Sequence, residues 1–143
     1  MTNPKWARAR FLRSNSRKLK ENMTKPLTVL VVDDDEVFAS NLAKNLTLDG
    51  YETLLAATGK KALMIIGENK PDILICDLKL PDLDGDSLLK EARTLSPETK
   101  LFLISAYVDT AIEERLKKIC VCGFIHKPIV LDDVTAMIHK NTL

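Results

Sequence analysis

The feature that most constrains the fold is a regular alternation between short apolar runs and segments with helical spacing. Runs rich in Val, Ile and Leu with few polar residues are typical of strands covered on both faces of a parallel sheet. Five strands are predicted from these runs, at Leu27–Val32, Tyr51–Ala57, Asp72–Asp77, Leu101–Ser105 and Gly123–His126.

Each strand is followed by a segment in which apolar residues recur every three or four positions, as on one face of a helix. The predicted helices run from the acidic residues 33–36 to a stop at Gly50, and over Gly59–Asn69, Ser87–Leu95, Thr110–Ile119 and Leu131–Lys140. Five strands alternating with five helices predict an α/β fold. Right-handed crossovers favour a doubly wound, flavodoxin-like parallel sheet of strand order 2-1-3-4-5, with helices on both faces.

The charge is divided between two parts of the 143-residue chain, although the formal net charge is only +1. Residues 1–25 hold eight Lys or Arg and one acid, a net charge of +7. Residues 26–143 hold 13 Lys or Arg and 19 acids, a net charge of −6. We therefore predict a basic arm over 1–25 and one acidic domain over 26–143.

The composition excludes several classes of protein. No apolar run approaches the roughly 18 residues of a membrane-spanning helix, and the basic start lacks the apolar stretch of a secretory signal. Cys76, Cys120 and Cys122 do not have zinc-site spacing. We expect reduced, buried thiols in a cytoplasmic protein.

The residues at the carboxyl ends of the predicted strands are acidic or otherwise polar. They are Asp33, Asp34, Asp77, Ser105 and Lys127. Carboxyl ends of parallel strands meet at one edge of the sheet, and ligands bind where the strand order reverses. We expect three carboxylates, a hydroxyl and an ammonium to converge on one crevice there.

Three adjacent carboxylates repel one another unless a cation lies between them. Mg²⁺ takes such hard oxygen ligands, and an ammonium and a hydroxyl can hold phosphoryl oxygens. These are the groups that phosphoryl transfer needs, and one carboxylate could accept the phosphoryl group as an acyl phosphate. The alternatives are ordinary: Asp34 or Asp35 as a helix N-cap, Asp77 as a loop acid and Lys127 as a solvated lysine.

Four motifs resemble the receiver domain of response regulators, over residues 26–141. They are Val31-Val32-Asp33-Asp34, Asp77-Leu78-Lys79-Leu80-Pro81 with Asp84-Gly85, Ser105-Ala106 and Lys127-Pro128. The resemblance implies Mg²⁺-dependent phosphorylation of Asp77 by a histidine kinase or phosphotransfer protein. It implies a two-component switch rather than an enzyme.

The resemblance also implies a role for each site residue. Asp34, Asp77 and the backbone carbonyl of Lys79 would bind Mg²⁺ directly, and Asp33 would bind it through water. Ser105 and Lys127 would bind the phosphoryl group. Phe124 stands at the aromatic switch position, with ordinary core packing as its alternative role, and would rotate inward behind Ser105.

Two departures from the family pattern have structural consequences. Cys120 stands where the family usually has a glycine that ends the fourth helix, so this cap must be strained or rebuilt. Lys79 and Tyr107 flank the family's path for attacking water, and we hypothesise that their bulk lengthens the lifetime of the acyl phosphate.

Two other functions stay open from the sequence. The run Val32-Asp33-Asp34-Asp35 resembles the first motif of haloacid-dehalogenase-like phosphohydrolases, with Asp33 as nucleophile and Asp35 as general acid/base. The pair Asp132-Asp133 opens a helix and does not supply that family's later acidic pair. The third candidate is a receiver that acts without phosphorylation, as an interaction module.

The expected partners follow from the same resemblance. The segment after Pro128 is long enough for one helix, so we expect no output domain, and output through a downstream protein target. Receivers of this kind often form homodimers through the fourth and fifth helices. The domain itself is not expected to bind nucleic acid. The arm is interpreted as disordered or as an extension upstream of a start at Met23, with contact to nucleic acid or anionic membrane as the alternative.

Overall fold

The computed structural model describes residues 26–106 and 109–142, in which five strands alternate with five helices. The predicted arm, Tyr107 and Leu143 lie outside the described residues. The elements, numbered in chain order, are β1 Thr28–Val32, α1 Glu36–Leu48, β2 Glu52–Ala56, α2 Gly59–Asn69, β3 Ile73–Asp77, α3 Gly85–Leu95, β4 Lys100–Ser105, α4 Thr110–Ile119, β5 Gly123–His126 and α5 Leu131–Thr142.

All four strand pairings are parallel, and the sheet order is β2-β1-β3-β4-β5. This confirms the predicted doubly wound, flavodoxin-like fold. The crossover from β1 leads to one side, to β2, and the crossover from β2 returns past β1 to β3 on its other side. The strand order therefore reverses at β1, and the carboxyl ends of β1 and β3 border the switch point.

Alternate residues of each strand face two separate cores, because successive side chains of a strand point to opposite faces. Val29 and Val31 pack with α1 and α5, whereas Leu30 and Val32 pack with α2, α3 and α4. Burial on both faces explains why the strands are continuous apolar runs instead of alternating patterns.

Most element bounds agree with the sequence predictions, and two helices are longer than expected. Helix α3 begins at Gly85 rather than Ser87, and α5 continues to Thr142. The earlier start of α3 has a local cause, since the backbone N–H of Gly85 donates to the carbonyl of Leu78 at 2.6 Å.

Two helices end on non-glycine residues in the left-handed conformation, at Lys70 (φ 46°) and Cys120 (φ 63°). A cationic side chain links each of these two helix ends to the neighbouring helix α3 by hydrogen bonds. Lys70 Nζ donates to the carbonyl of Leu95 at the end of α3, at 2.9 Å. The Arg93 guanidinium, on α3, donates to the carbonyls of Ile119 and Cys120 at the end of α4. The expected strain at Cys120 is therefore present, and its cap is supported by Arg93.

The burial predicted for the cysteines is wrong for two of the three. Cys76 is buried in β3, whereas Cys120 and Cys122 are exposed, and all three thiols are free. The difference arises because Cys120 is the C-cap of α4 and Cys122 directly precedes β5, so both lie in a turn and not on a helix or strand face that the core covers. Among the described residues, no helix is long and apolar enough to cross a membrane.

Candidate functional site

Three strand ends bring the predicted polar side chains to one edge of the sheet. Val32 and Cys76 are paired in register, so the next residues, Asp33 and Asp77, lie side by side at the ends of β1 and β3. Lys127 follows β5 and reaches across from the far side of β4. Its peptide bond to Pro128 is cis.

Lys127 bridges the two carboxylates. Its Nζ donates to Oδ2 of Asp33 at 3.0 Å and to Oδ2 of Asp77 at 3.3 Å. The same ammonium lies 4.9 Å from the centroid of the Phe38 ring, within the range of a cation–π interaction. The interpretation of Lys127 as a solvated loop lysine is therefore wrong.

Asp33 is the most buried acid of the site, at 3% exposure, and both of its oxygens have donors. Oδ1 accepts from the backbone N–H of Asp35 at 2.9 Å, and Oδ2 accepts from Lys127. Asp34 is exposed. Ligand oxygens of Asp33, Asp34 and Asp77 all lie within 4.8 Å of one another, which confirms the expected acidic cluster.

Asp35 has the ordinary role that the sequence left open for one of these acids. It is the N-cap of α1, and its Oδ1 accepts from the backbone N–H of Phe38 at 3.1 Å. Its carboxylate thus satisfies one of the N–H groups that a helix start leaves unpaired.

The crowding of charge changes the proton affinity of two groups. Burial raises the pKa of Asp77, the negative charge of Asp33 raises it further, and Lys127 opposes both effects. Burial alone would lower the pKa of Lys127, but the hydrogen bond to Asp33 and the charges of Asp33 and Asp77 raise it. Burial and the charge of Asp33 therefore both disfavour the ionised form of Asp77, whereas the two carboxylates favour the protonated form of Lys127.

Ser105 and Phe124 project from the same face of the sheet beside this cluster. Ser105 ends β4, is buried, and pairs in register with His126 of β5. Phe124 is partly buried, as expected for either of its roles. The Phe124 ring contacts the His126 ring edge to face, with centroids 4.6 Å apart.

Lys79 belongs to the β3–α3 loop, residues 78–84, which closes on itself next to Asp77. Lys79 and Asp84 form an isolated antiparallel bridge, and the backbone N–H of Lys79 points to Oδ1 of Asp77 at 3.5 Å. A Cβ atom on Gly85 would collide with the backbone carbonyl of Asp77 and would lie 2.6 Å from Cα of Leu78. Gly85 therefore permits the loop to close tightly against β3.

An open pocket of about 460 Å³ adjoins the cluster. It is lined by Asp35, Phe38, Ala106, Lys127, Pro128 and Ile129. Its walls are mainly apolar, and the exposed side chains of Val37 and Val130 neighbour it along the chain. This edge of the domain thus joins a charged centre to an apolar surface.

Sequence reasoning missed three residues that shape the site. The sequence gives no indication that Phe38, Asp82 or His126 contributes to the site. A tight turn is evident from the run Leu78–Gly85, but nothing local indicates which helix the Asp82 side chain contacts. His126 could have been placed on the face of Ser105 and Phe124 from the alternation of β5.

The comparisons with known proteins agree with this geometry. The family model for the response regulator receiver domain matches residues 29–139. The regulatory protein AtoC of Escherichia coli is 32% identical over 123 residues, which are 82% of this chain and 26% of AtoC. The chain thus spans about a quarter of that relative. Sporulation initiation phosphotransferase F of Bacillus subtilis is 27% identical over 78% of this chain and 90% of its own length.

Solved structures share the fold over the same region. A CheY-like receiver domain protein from Methanospirillum hungatei has a TM-score of 0.79 at 27% identity, covering 82% of this chain and 94% of its own. A Burkholderia pseudomallei response regulator, described with a phosphorylated aspartic acid and a calcium ion, has a TM-score of 0.74 at 29% identity, covering 80% and 68%. This chain therefore belongs to the response regulator receiver domain family of two-component phosphorelay systems.

Proposed function

We propose that Asp77 accepts a phosphoryl group from a histidine kinase or a phosphotransfer protein, and that this modification switches a protein-binding surface. The observation that carries the proposal is the Lys127 ammonium, which bridges Asp33 and Asp77 within a cluster of three carboxylates. Oxygen acceptors and a fixed cation at one point are the requirements for placing and neutralising a phosphoryl group.

Receiver domains bind Mg²⁺ at an acidic pocket, and the described residues fit that ion. Asp34 and Asp77 would hold it directly together with the backbone carbonyl of Lys79, and Asp33 would hold it through water. This set consists of hard oxygen ligands, as Mg²⁺ requires, and its three carboxylates lie within 4.8 Å of one another, close enough to share one cation. When bound, Mg²⁺ supplies neutralisation of the phosphoryl oxygens.

The transfer itself is a substitution at phosphorus. A carboxylate oxygen of Asp77 forms the new O–P bond, and the N–P bond of the donor phosphohistidine breaks with its electron pair leaving on the imidazole nitrogen. Lys127 is already hydrogen-bonded to Asp77, so a short movement brings its Nζ to a phosphoryl oxygen. The Ser105 hydroxyl, at the end of the adjacent strand, donates to another.

The proposed switch runs through β4 and β5. Movement of Ser105 towards the phosphoryl group opens space that Phe124 fills by rotating inward, away from its edge contact with His126. Phe124 is partly buried and packs against the core to which α4 contributes Leu116. The surface of α4, β5 and α5 changes, and this is where we place the downstream protein and a homodimer contact.

The phosphoryl donor must reach Asp77 from the open edge of the sheet. The apolar pocket beside Lys127 offers the donor a hydrophobic docking surface there. Phe38 and Ile129 line this pocket, and the side chains of Val37 and Val130 are exposed nearby.

The three free thiols agree with a cytoplasmic location, because the cytoplasm is reducing.

The phosphohydrolase alternative is disfavoured by the contacts of its two key acids. Asp35, its general acid/base, is the N-cap of α1, and the side chain of Asp33, its nucleophile, is only 3% exposed, against 12% for Asp77. The interaction-module alternative leaves the acidic cluster without a use. We therefore favour the phosphoacceptor.

Intact mass spectrometry separates the three functions. The purified chain is incubated with acetyl phosphate and Mg²⁺, with an EDTA control, alongside Asp77→Ala and Asp33→Ala. We expect one phosphoryl adduct that requires Mg²⁺ and is absent from Asp77→Ala. An adduct that persists in Asp77→Ala and disappears in Asp33→Ala supports the hydrolase, and no adduct on the wild type supports the interaction module.

A further inference from the structure

The start of α2 is capped by a residue from a different part of the chain. Asp82, in the β3–α3 loop, accepts from the backbone N–H of Gly59 through Oδ1 at 2.8 Å and from that of Lys60 through Oδ2 at 2.9 Å. Both carboxylate oxygens thus bind N–H groups that the first turn of a helix leaves unpaired. The positive end of the helix dipole strengthens these contacts.

The remaining donors of that helix start are satisfied locally, by Thr58. Its Oγ1 accepts from the backbone N–H of Lys61 at 3.2 Å, and its carbonyl accepts from that of Ala62 at 3.1 Å. Helix α2 therefore has its own N-cap residue. The hydrogen bonds from Gly59 and Lys60 to Asp82 are additional to this cap, and they attach the β3–α3 loop to the start of α2.

Packing holds the tip of the loop at the same place. The Leu83 side chain lies directly over Gly59, where an added Cβ atom would be 2.5 Å from Leu83 Cγ. Leu83 also packs, partly buried, against the core that contains α2 and α3. The tip of the loop is thus attached to α2 by two hydrogen bonds and one apolar contact.

The other end of the loop is fixed next to Asp77. The Lys79–Asp84 bridge and the hydrogen bond from Gly85 N–H to the carbonyl of Leu78 close its base. With the base closed and the tip attached to α2, the backbone at Lys79 has little freedom. Its carbonyl is the ligand that the proposed function gives to Mg²⁺.

We propose that Asp82 is a positioning residue for the metal, which holds the β3–α3 loop so that the Lys79 carbonyl is in place before Mg²⁺ binds. The inference rests on the proposed function, since it concerns a ligand of that site. A ligand that is already ordered loses less conformational entropy on binding, so removal of the attachment weakens the affinity for Mg²⁺.

The test compares two variants that each remove a cap from the same helix. Asp82→Ala releases the loop, whereas Thr58→Ala, the matched control, weakens the start of α2 and leaves the loop attached. Mg²⁺ is titrated into each protein and into the wild type by isothermal titration calorimetry, and urea unfolding in EDTA measures stability. Asp82→Asn, which retains one carbonyl acceptor, is included as the conservative variant.

We expect Asp82→Ala to raise the Kd for Mg²⁺ by about tenfold, the usual cost of losing a group that orients a metal ligand. Asp82→Asn is expected to fall between Asp82→Ala and the wild type, and Thr58→Ala to keep the wild-type Kd despite its lower stability. With acetyl phosphate, the Mg²⁺ concentration for half-maximal phosphorylation of Asp82→Ala rises, whereas its rate at saturating Mg²⁺ stays at the wild-type value.

An unchanged Kd in Asp82→Ala overturns the inference, as does an equal rise in Thr58→Ala, which would show only the effect of a weaker helix. Failure of the proposed function gives a different result, because the wild-type chain would then bind no Mg²⁺ or form no adduct. Should Asp82→Ala not fold, the Kd of Asp82→Asn decides, and a wild-type value overturns the inference.

Discussion

Nζ of Lys127 lies 3.3 Å from Oδ2 of Asp77, the proposed phosphoacceptor, and the same nitrogen lies 3.0 Å from Oδ2 of Asp33. One ammonium thus serves two carboxylates, with a third from Asp34 nearby. Because one positive charge cannot balance this cluster, the free protein keeps an electrostatic cost that a divalent cation removes. That cost makes the stability of the domain depend on pH and on Mg²⁺.

The first prediction concerns Asp77→Asn. The pKa of Asp77 is raised in the folded protein, so the folded state binds more protons than the unfolded state and stability falls as pH rises between the two pKa values. At pH 7 without Mg²⁺, the variant is therefore expected to be more stable than the wild type. Below the unfolded pKa of about 3.9, where both states of the wild type are protonated, this gain disappears.

Urea unfolding in EDTA at several pH values checks this prediction. Saturating Mg²⁺ should stabilise the wild type more than the variant, because binding to the folded state alone adds to stability. A variant that is less stable than the wild type at pH 7 in EDTA would contradict the charge balance described here.

The second prediction concerns the end of α4. Cys120→Gly is expected to raise the free energy of unfolding by about 1 kcal/mol, because glycine adopts the left-handed conformation without the cost that a Cβ atom imposes. Cys122→Ser, at an exposed thiol two residues away, should leave stability nearly unchanged. Urea unfolding measures all three proteins, and equal stability of wild type and Cys120→Gly would show that the residue is not strained.

The third prediction concerns Arg93, which donates to two carbonyls at this cap and to two in the segment between α3 and β4. It binds Pro97, Thr99, Ile119 and Cys120. Arg93→Ala is expected to lower the free energy of unfolding by about 1–3 kcal/mol, since partly buried carbonyls lose their donors. Measured in a double-mutant cycle with Cys120→Gly, the two changes should couple. Strict additivity would argue against support of the cap by Arg93.

The fourth prediction compares two glycines. Gly85→Ala is expected to destabilise the protein by about 1–3 kcal/mol and to slow phosphorylation, because the new methyl group displaces the backbone at Asp77 and Leu78. Gly67→Ala, in open space within α2, is expected to stabilise it by about 0.5–1 kcal/mol. Thermal unfolding and the acetyl phosphate assay measure both, and a wild-type rate for Gly85→Ala would contradict the tight closure of the loop.

The fifth prediction concerns the lifetime of the acyl phosphate. Lys79 is exposed beside Asp77, and Tyr107 follows Ser105 by two residues, outside the described part of the chain. If their side chains obstruct attacking water, the double variant Lys79→Ala/Tyr107→Ala loses its phosphoryl group faster than the wild type. The loss is followed by intact mass after removal of acetyl phosphate, and equal rates would rule out the obstruction.

The sequence predicted the fold and most of the site because both depend on short-range patterns. Continuous apolar runs identified the strands, and the rule that parallel strands end at one edge placed Asp33, Asp77 and Lys127 together. The turn at Gly50 and the end of α2 before Pro71 also follow from local chemistry, since glycine adopts a positive φ without a steric cost and proline does not fit a helix interior.

What the sequence could not predict depends on contacts between distant segments. The attachment of Asp82 to α2 joins residues 22 and 23 positions apart, and the contact of Arg93 with the carbonyl of Cys120 joins residues 27 apart. No periodicity or motif records such pairs. The exposure of Cys120 and Cys122 was missed for the same reason, because it depends on which side chains of the turn after α4 the rest of the fold covers.

Chemical trapping can identify the residue that carries the phosphoryl group, which we propose to be Asp77. Borohydride reduces an aspartyl phosphate to homoserine, which peptide mass spectrometry locates in the sequence. After treatment with acetyl phosphate and Mg²⁺, we expect homoserine at position 77 and unchanged aspartate at positions 33 and 34. Homoserine at position 33, or none in a protein that carries the adduct, would exclude Asp77 as the phosphoacceptor.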